Sequence, residues 1–296
     1  MPLSRIPVLK TYKIYIGGQF PRTESGRYYS PVNKAGKKLA NVCLSSRKDL
    51  REAAVSARAA FGSWSGRAAF NRSQILYRMA EMLEGRRAQF MEELAQMDYN
   101  TAAAQEEIDL SVDRLIYYAG WCDKYQQLFS SVNPVSSPHF NFSVPEPTGV
   151  VGIIAPQRSA LLGLVSVMAP VVAGGNTVII MASENLPLAA ITFAEVLHSS
   201  DLPGGVVNIL TGKPGEILPW MADHMDINAI VYTENDSPAK ALLREKSAGN
   251  LKRIHLYDNT DWKNENAASP YFILDCQEIK TTWHPVETIA GSGAGY

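Results

Sequence analysis

The chain has 296 residues, enough for one large domain or two smaller ones around a buried core. At 46% hydrophobic and 19% charged it reads as globular rather than disordered. Its 28 Lys and Arg against 29 Asp and Glu exclude the bulk electrostatic attraction of a nucleic-acid or anionic-membrane binder. The three cysteines, Cys43, Cys122 and Cys276, lie far apart and form no CxxC pair, a set that fits reduced thiols in a cytoplasmic protein. The first residues lack an apolar core with a small-residue cleavage site, so no leader is expected. The most apolar run, 159–175, contains Pro170 and falls short of the ~20 residues that span a bilayer. The five histidines have no ligand-like spacing, and no metal is expected.

Residues 12–16 alternate apolar and polar side chains before Gly17-Gly18, predicting a strand and turn; residues 38–44 predict a second extended piece. Ser46 stands three residues before Asp49, the spacing of a capping box. Leu50, Ala53, Ala54, Ala57 and Phe61 then recur at helical intervals, ending near Trp64. A longer helical stretch carries Ile75, Leu76, Met79, Met82 and Leu83 and continues past Gly85 through Phe90, Leu94 and Met97. Its methionines read as a face covering a sheet rather than an adaptable peptide groove. Ile108, Val112, Leu115 and Ala119 predict a third amphipathic helix running to Tyr125. Residues 130–138, with Ser and Pro and no helical period, read as a link to a strand at 140–144.

Beyond Pro147 the character changes. Residues 149–155 are almost continuously apolar, as in a parallel strand covered on both faces. Helices predicted at 161–173, 188–198, 216–224 and 238–247 alternate with strands at 177–181, 206–210, 229–232 and 254–257. That alternation predicts an α/β fold with a Rossmann-like, doubly wound parallel sheet. The glycine-rich 291–295 follows no strand and opens no helix, so it reads as a flexible terminus rather than a nucleotide loop.

The run PTGVVGIIAP at 147–156, then AGGNTVIIMASE at 173–184 and DLPGGVVNILTG at 201–212, resembles the aldehyde dehydrogenase superfamily, in the family's order. Upstream, YIGGQF, AAVSARAAFGSW, residues 72–76 and IYYAGW are similar to its amino-terminal part. NLKRIHL resembles the approach to the family's catalytic glutamate, and residues 271–281 its oligomerisation strand. The resemblance implies an oxidoreductase that binds NAD(P) and oxidises an aldehyde through a cysteine thiohemiacetal.

The residues that the resemblance assigns to that chemistry are mostly replaced. Pro156-Gln157-Arg158 stands where the family has Pro-Trp-Asn, and a long guanidinium does not reproduce the short neutral amide that holds the oxyanion. Met181 stands at the ribose-gripping lysine and donates no hydrogen bond. Glu184 matches the ribose-binding acid, although a Glu at a helix start is equally explained by the helix dipole. Thr233 is kept, but Glu234-Asn235 replaces the Gly-Ser pair through which bare backbone approaches the pyrophosphate. The catalytic glutamate aligns with Tyr257, and only residues 261–269 separate the last Rossmann-like strand from the oligomerisation strand. The catalytic domain is therefore expected to be absent. Cys276, flanked by Asp275 and Glu278, reads as a strand residue, and Cys43 and Cys122 as half-buried packing.

No cofactor is expected to bind. The resemblance divides the chain into amino-terminal strands and a helical layer (1–129), an oligomerisation β arm (130–147), the Rossmann-like domain (148–260), and a linker, strand and tail (261–296). Within that family the chain resembles the truncated, non-catalytic second module of the family-sixteen aldehyde dehydrogenases. That implies a pseudoenzyme acting in oligomerisation, scaffolding or regulation. Its partner is expected to be a second copy, met through Phe140, Phe142, Phe272, Leu274 and Ile279, or a complete aldehyde dehydrogenase module. Two other readings stay open: an NAD(P)-binding subunit whose active site is completed by another chain, and a nucleotide sensor without chemistry. Glu184 and Thr233 favour these two, whereas Arg158, Met181, Glu234 and Tyr257 favour the pseudoenzyme; fold alone does not choose among them.

Overall fold

In the computed structural model residues 8–286 are described, so the glycine-rich 291–295 lies outside the described residues. Strands β1 (Thr11–Tyr12), β2 (Tyr28–Tyr29) and β3 (Asn41–Cys43) form a small sheet in the order β1-β3-β2. The capping box opens helix α1 (Arg47–Ser65): Ser46 Oγ accepts from the Asp49 amide, and Asp49 Oδ2 accepts from the Ser46 amide at 2.6 Å. The buried face of α1 is rich in alanine, which brings its backbone within 3.1 Å of Thr177 Oγ1 at the sheet.

Helices α2 (Ala69–Gly85), α3 (Arg87–Gln96), α4 (Thr101–Trp121) and α5 (Tyr125–Phe129) follow. The stretch predicted to continue past Gly85 is two helices, broken at Arg86. The helix predicted to reach Tyr125 ends at Trp121. The predicted link at 130–138 contains strand β4 (Ser131–Asn133), which pairs with β5 (His139–Pro147).

The Rossmann-like core runs β6 (Val150–Ile154), α6 (Leu162–Ala173), β7 (Thr177–Met181), α7 (Leu188–His198), β8 (Val207–Leu210), α8 (Pro214–Asp223), β9 (Ala229–Tyr232), α9 (Ser237–Ala248) and β10 (Arg253–Leu256). Its five strands are all parallel, in the order β10-β9-β6-β7-β8. Alternation along β6 and β7 divides the interior. Val151, Ile153, Val178 and Ile180 meet α6, α7 and the helical layer, whereas Val150, Ile154, Ile179 and Met181 meet α1 and α8. Gly152 lets α8 approach β6 closely, because a Cβ there would lie 2.6 Å from Met221 Sδ.

After β10 come a 3-10 turn (Glu265–Ala267), helix α10 (Tyr271–Leu274) and strand β11 (Gln277–Pro285). β11 pairs antiparallel with β5, from Gln277 opposite Pro147 to Pro285 opposite His139, giving an arm sheet ordered β11-β5-β4. The expected strand at 271–281 is thus wrong in its first part. Phe272 and Leu274 belong to a helical turn rather than to the arm, because Pro270 starts the turn and Ser269 Oγ accepts from the Tyr271 amide at 3.3 Å. Period-two apolar spacing fits that turn as well as a strand, and Ile273 is the residue it buries. Cys276 precedes the strand, and Cys43 and Cys122, expected to be half-buried, are fully buried. No described helix is long and apolar enough to cross a membrane.

Candidate functional site

In a doubly wound sheet the ligand crevice opens at the carboxyl ends of the strands, where the strand order reverses. Here the reversal lies between β6 and β9, and a cleft of about 780 Å³ opens there, lined by Pro156, Arg158, Ser159, Thr233 and Glu234 among others. The crevice is bridged by the protein itself: the Gln157 amide after β6 donates to Glu234 Oε1 after β9 at 2.9 Å. Thr233 Oγ1 faces inward and donates to the Ile154 carbonyl at 3.0 Å, closing the same pair of loops.

Gln157 also ties the loop after β7. Its Oε1 accepts from the Glu184 amide at 2.8 Å and its Nε2 donates to the Ala155 carbonyl at 2.8 Å. The Glu184 carbonyl accepts from Tyr29 OH at 3.2 Å; burial, with Glu184 nearby, raises the Tyr29 phenol above its ordinary range. Met181 is fully buried and packs in the core, so the position that resembles the ribose lysine does not reach the cleft. Arg158 is exposed on the cleft wall.

Helix amino-termini are the anion sites of such folds, and both in this cleft carry the chain's own carboxylates. At α6 the N-cap residue Leu161 makes no side-chain cap, Ser159 Oγ accepts from the Gly163 amide at 2.7 Å, and Glu107 reaches over from α4. Its Oε1 accepts from the Leu161 and Leu162 amides at 3.0 Å each and from Ser159 Oγ at 2.7 Å. At α9, Asp236 Oδ1 accepts from the Ala239 amide at 3.2 Å. Asn235 Oδ1 accepts from Lys240 Nζ at 2.8 Å, and that buried ammonium also pairs with Asp258 at 2.5 Å. Asp98, Glu107, Glu234, Asp236 and Asp261 line the cleft against Lys34, Arg158 and Lys263, an excess of negative charge. A phosphate about 4 Å from one such carboxylate would meet roughly 4 kcal/mol of repulsion at a surface-like dielectric.

Tyr257, at the position that resembles the catalytic glutamate, is not among the residues lining the cleft. Its hydroxyl donates to Asp275 Oδ2 at 2.8 Å, and its ring packs edge-on against Phe272 at 4.9 Å and Trp262 at 6.3 Å. Burial, with Cys276 and Asp275 adding to it, pushes the phenol well above its ordinary value. The segment between β10 and β11, read above as a polar linker, is docked. Trp262 and Ala267 are buried, and Arg114 of α4 donates to both of their carbonyls, at 3.0 Å to Trp262. Sequence reasoning missed the roles of Glu107, Gln157, Lys240 and Arg114. The available signal was an acid and a base, Glu107 and Arg114, inside the buried stripe of α4 with Ala104, Ile108, Ser111 and Leu115.

The profile of the aldehyde dehydrogenase family matches residues 21–257. Cytosolic 10-formyltetrahydrofolate dehydrogenase of Mus musculus is 32% identical over 265 residues, 86% of this chain and 29% of that protein. Omega-crystallin of Enteroctopus dofleini is 30% identical over 261 residues, 86% of this chain and 52% of that protein. The NAD+ complex of an aldehyde dehydrogenase from Bacillus cereus superposes with a TM-score of 0.78 at 27% identity, covering 84% of this chain and 51% of that one. The chain thus spans less than a third of the first relative and about half of the other two.

Proposed function

The chain belongs to the aldehyde dehydrogenase family, and on that footing we propose that it is a non-catalytic member acting through assembly, as a scaffold or regulator. In this reading residues 148–260 are a nucleotide-type core that no longer holds nucleotide, and 130–147 with β11 are the arm by which it associates. The partner is a second copy or a complete dehydrogenase module, as for the truncated second module of the family-sixteen enzymes that the sequence resembles. One observation carries the reading: the Glu234 carboxylate occupies the Gln157 amide across the switch-point crevice, where a dinucleotide would need bare donors and no negative charge.

The competing reading is a subunit that binds NAD(P) and completes its active site with another chain. It rests on Glu184, Thr233 and the open cleft. Titrating the protein with NAD and with NADP by calorimetry, alongside thermal denaturation, separates the two. No saturable heat and no shift in midpoint are expected up to millimolar nucleotide. A ligand at 100 times its dissociation constant would stabilise the fold by about 2.7 kcal/mol, which is readily seen. A micromolar dissociation constant for either nucleotide would overturn the proposal.

A further inference from the structure

The carboxylates of the switch-point cleft come from four separate segments: Asp98 after α3, Glu107 on α4, Glu234 and Asp236 between β9 and α9, and Asp261 beyond β10. Each is fixed through one oxygen by backbone amide: Asp98 by Lys34 at 2.6 Å, Glu107 by Leu161 and Leu162, Glu234 by Gln157, Asp236 by Ala239, and Asp261 by Lys263 at 3.1 Å. Among the described residues none of these carboxylates forms a salt bridge. The ammonium groups of Lys240 and Lys263 are taken instead by Asp258 and Glu106, which do not line the cleft. The other two cations of the wall, Lys34 and Arg158, are exposed, so water screens them. Glu107 adds a buried acceptor. It is 2% exposed, and its Oε1 already takes three donors. Its Oε2 has no donor among the described residues and opens to the cleft, so the donor it takes comes from there.

We propose that this cleft binds a linear aliphatic polyamine, with one ammonium group on Glu107 Oε2 and the others on the carboxylates of the remaining segments. This rests on the reading that the crevice no longer holds nucleotide, and it names what the same crevice takes instead. A cleft of about 780 Å³ is the size of a small-molecule site. Its negative charge is spread out: among the described residues no three His, Cys, Asp or Glu side chains come together as metal ligands. A point cation would answer one carboxylate and leave the rest uncompensated, whereas spaced ammonium groups answer several at once. Met97, Leu162, Leu186 and Trp262 lie among the acids on the cleft wall. Methylene stems gain from apolar surface of that kind while their charged ends reach acceptors. Acceptors already held by backbone amides also lose little freedom when a donor arrives.

Calorimetric titration of the whole chain with spermidine tests this. At about 0.1 M salt, where loose surface attraction is screened, saturable one-to-one binding with a dissociation constant below about 1 mM is expected. Glu107→Gln keeps an acceptor for the α6 amides but removes the charge, and is expected to weaken binding about tenfold. Should that variant fold poorly, the double variant Asp98→Asn, Asp261→Asn changes two exposed cleft residues and is expected to weaken binding about threefold to tenfold. The double variant Glu52→Gln, Asp113→Asn makes the same change of charge at exposed positions outside the cleft and is expected to leave binding unchanged. Magnesium at matched ionic strength is expected not to displace spermidine. Absence of saturable binding overturns the proposal. So does equal weakening by the two double variants, which would mean surface charge alone, or full displacement by magnesium, which would mean a point-cation site. The parent reading fails on a different result, nucleotide binding in the calorimeter, so the two failures are distinguishable.

Discussion

A cysteine nucleophile needs a lowered pKa and a path to its substrate. Cys122 and Cys276 have neither, and Cys43 is buried as well. Burial pushes the Cys122 thiol up to about 12 and Cys276 further still, with Asp275 adding to the effect on Cys276. The native protein is therefore expected to show no fast thiol toward Ellman reagent at pH 8, and three after denaturation. One rapidly reacting thiol in the native state would reveal a reachable nucleophile. The same burial sets a pH dependence. An unfolded thiol ionises near 9.0, whereas the folded Cys122 keeps its proton to about 12. The unfolded state therefore binds fewer protons in that window, and stability is lost as pH rises from 9 toward 12. The buried phenols Tyr118 and Tyr257, also raised by desolvation, act in the same direction above pH 10. The urea midpoint is expected to fall through that range; a flat profile would show that these groups titrate freely.

Helix α6 illustrates how an element can be fixed by a distant one. All of its residues are buried, so its amino-terminal amides have no water to turn to. Glu107, more than fifty positions earlier on α4, satisfies two of them and the Ser159 hydroxyl. Glu107→Ala is expected to lower stability by about 2–4 kcal/mol, because several buried donors lose their acceptor together. Glu107→Gln, which keeps one acceptor oxygen, is expected to cost less. A loss below about 1 kcal/mol for Glu107→Ala in urea unfolding would mean that the α6 terminus is solvated instead. Elements with strong local signals were legible in advance. Ser46 and Asp49 marked the start of α1, and unbroken apolar runs marked β6 and β7. The residues 271–274 were misread because Phe272 and Leu274 suit a strand or a helical turn equally, and the choice is made by Tyr257 and Trp262, which pack against Phe272.

At the scale of the whole molecule, the path from β10 to β11 governs what the chain can do. It runs through a buried Trp262 and the docked turn 265–267 into β11, and α4 holds it in place through Arg114. No second domain intervenes among the described residues between Leu256 and Gln277. The chain is accordingly expected to produce no NADH from aldehyde and NAD, and to hydrolyse no activated ester. Turnover abolished by Cys276→Ala would overturn this and show that the buried thiol had been recruited.

The sequence by itself determined the alternation of strands and helices and the parallel sheet. The alternation and the sheet follow from periodicity along short windows, where burial on both faces or on one leaves a local record, whereas the expectations at Met181, Glu234 and Tyr257 are what the resemblance implies. Only the tertiary structure decided which partners the residues around those positions meet. Gln157 meeting Glu234, Glu107 capping α6, and Tyr257 bonded to Asp275 join residues 77, 54 and 18 positions apart. No local propensity encodes such meetings. They come from bringing the strand ends together, where each buried donor takes the nearest acceptor that packing supplies.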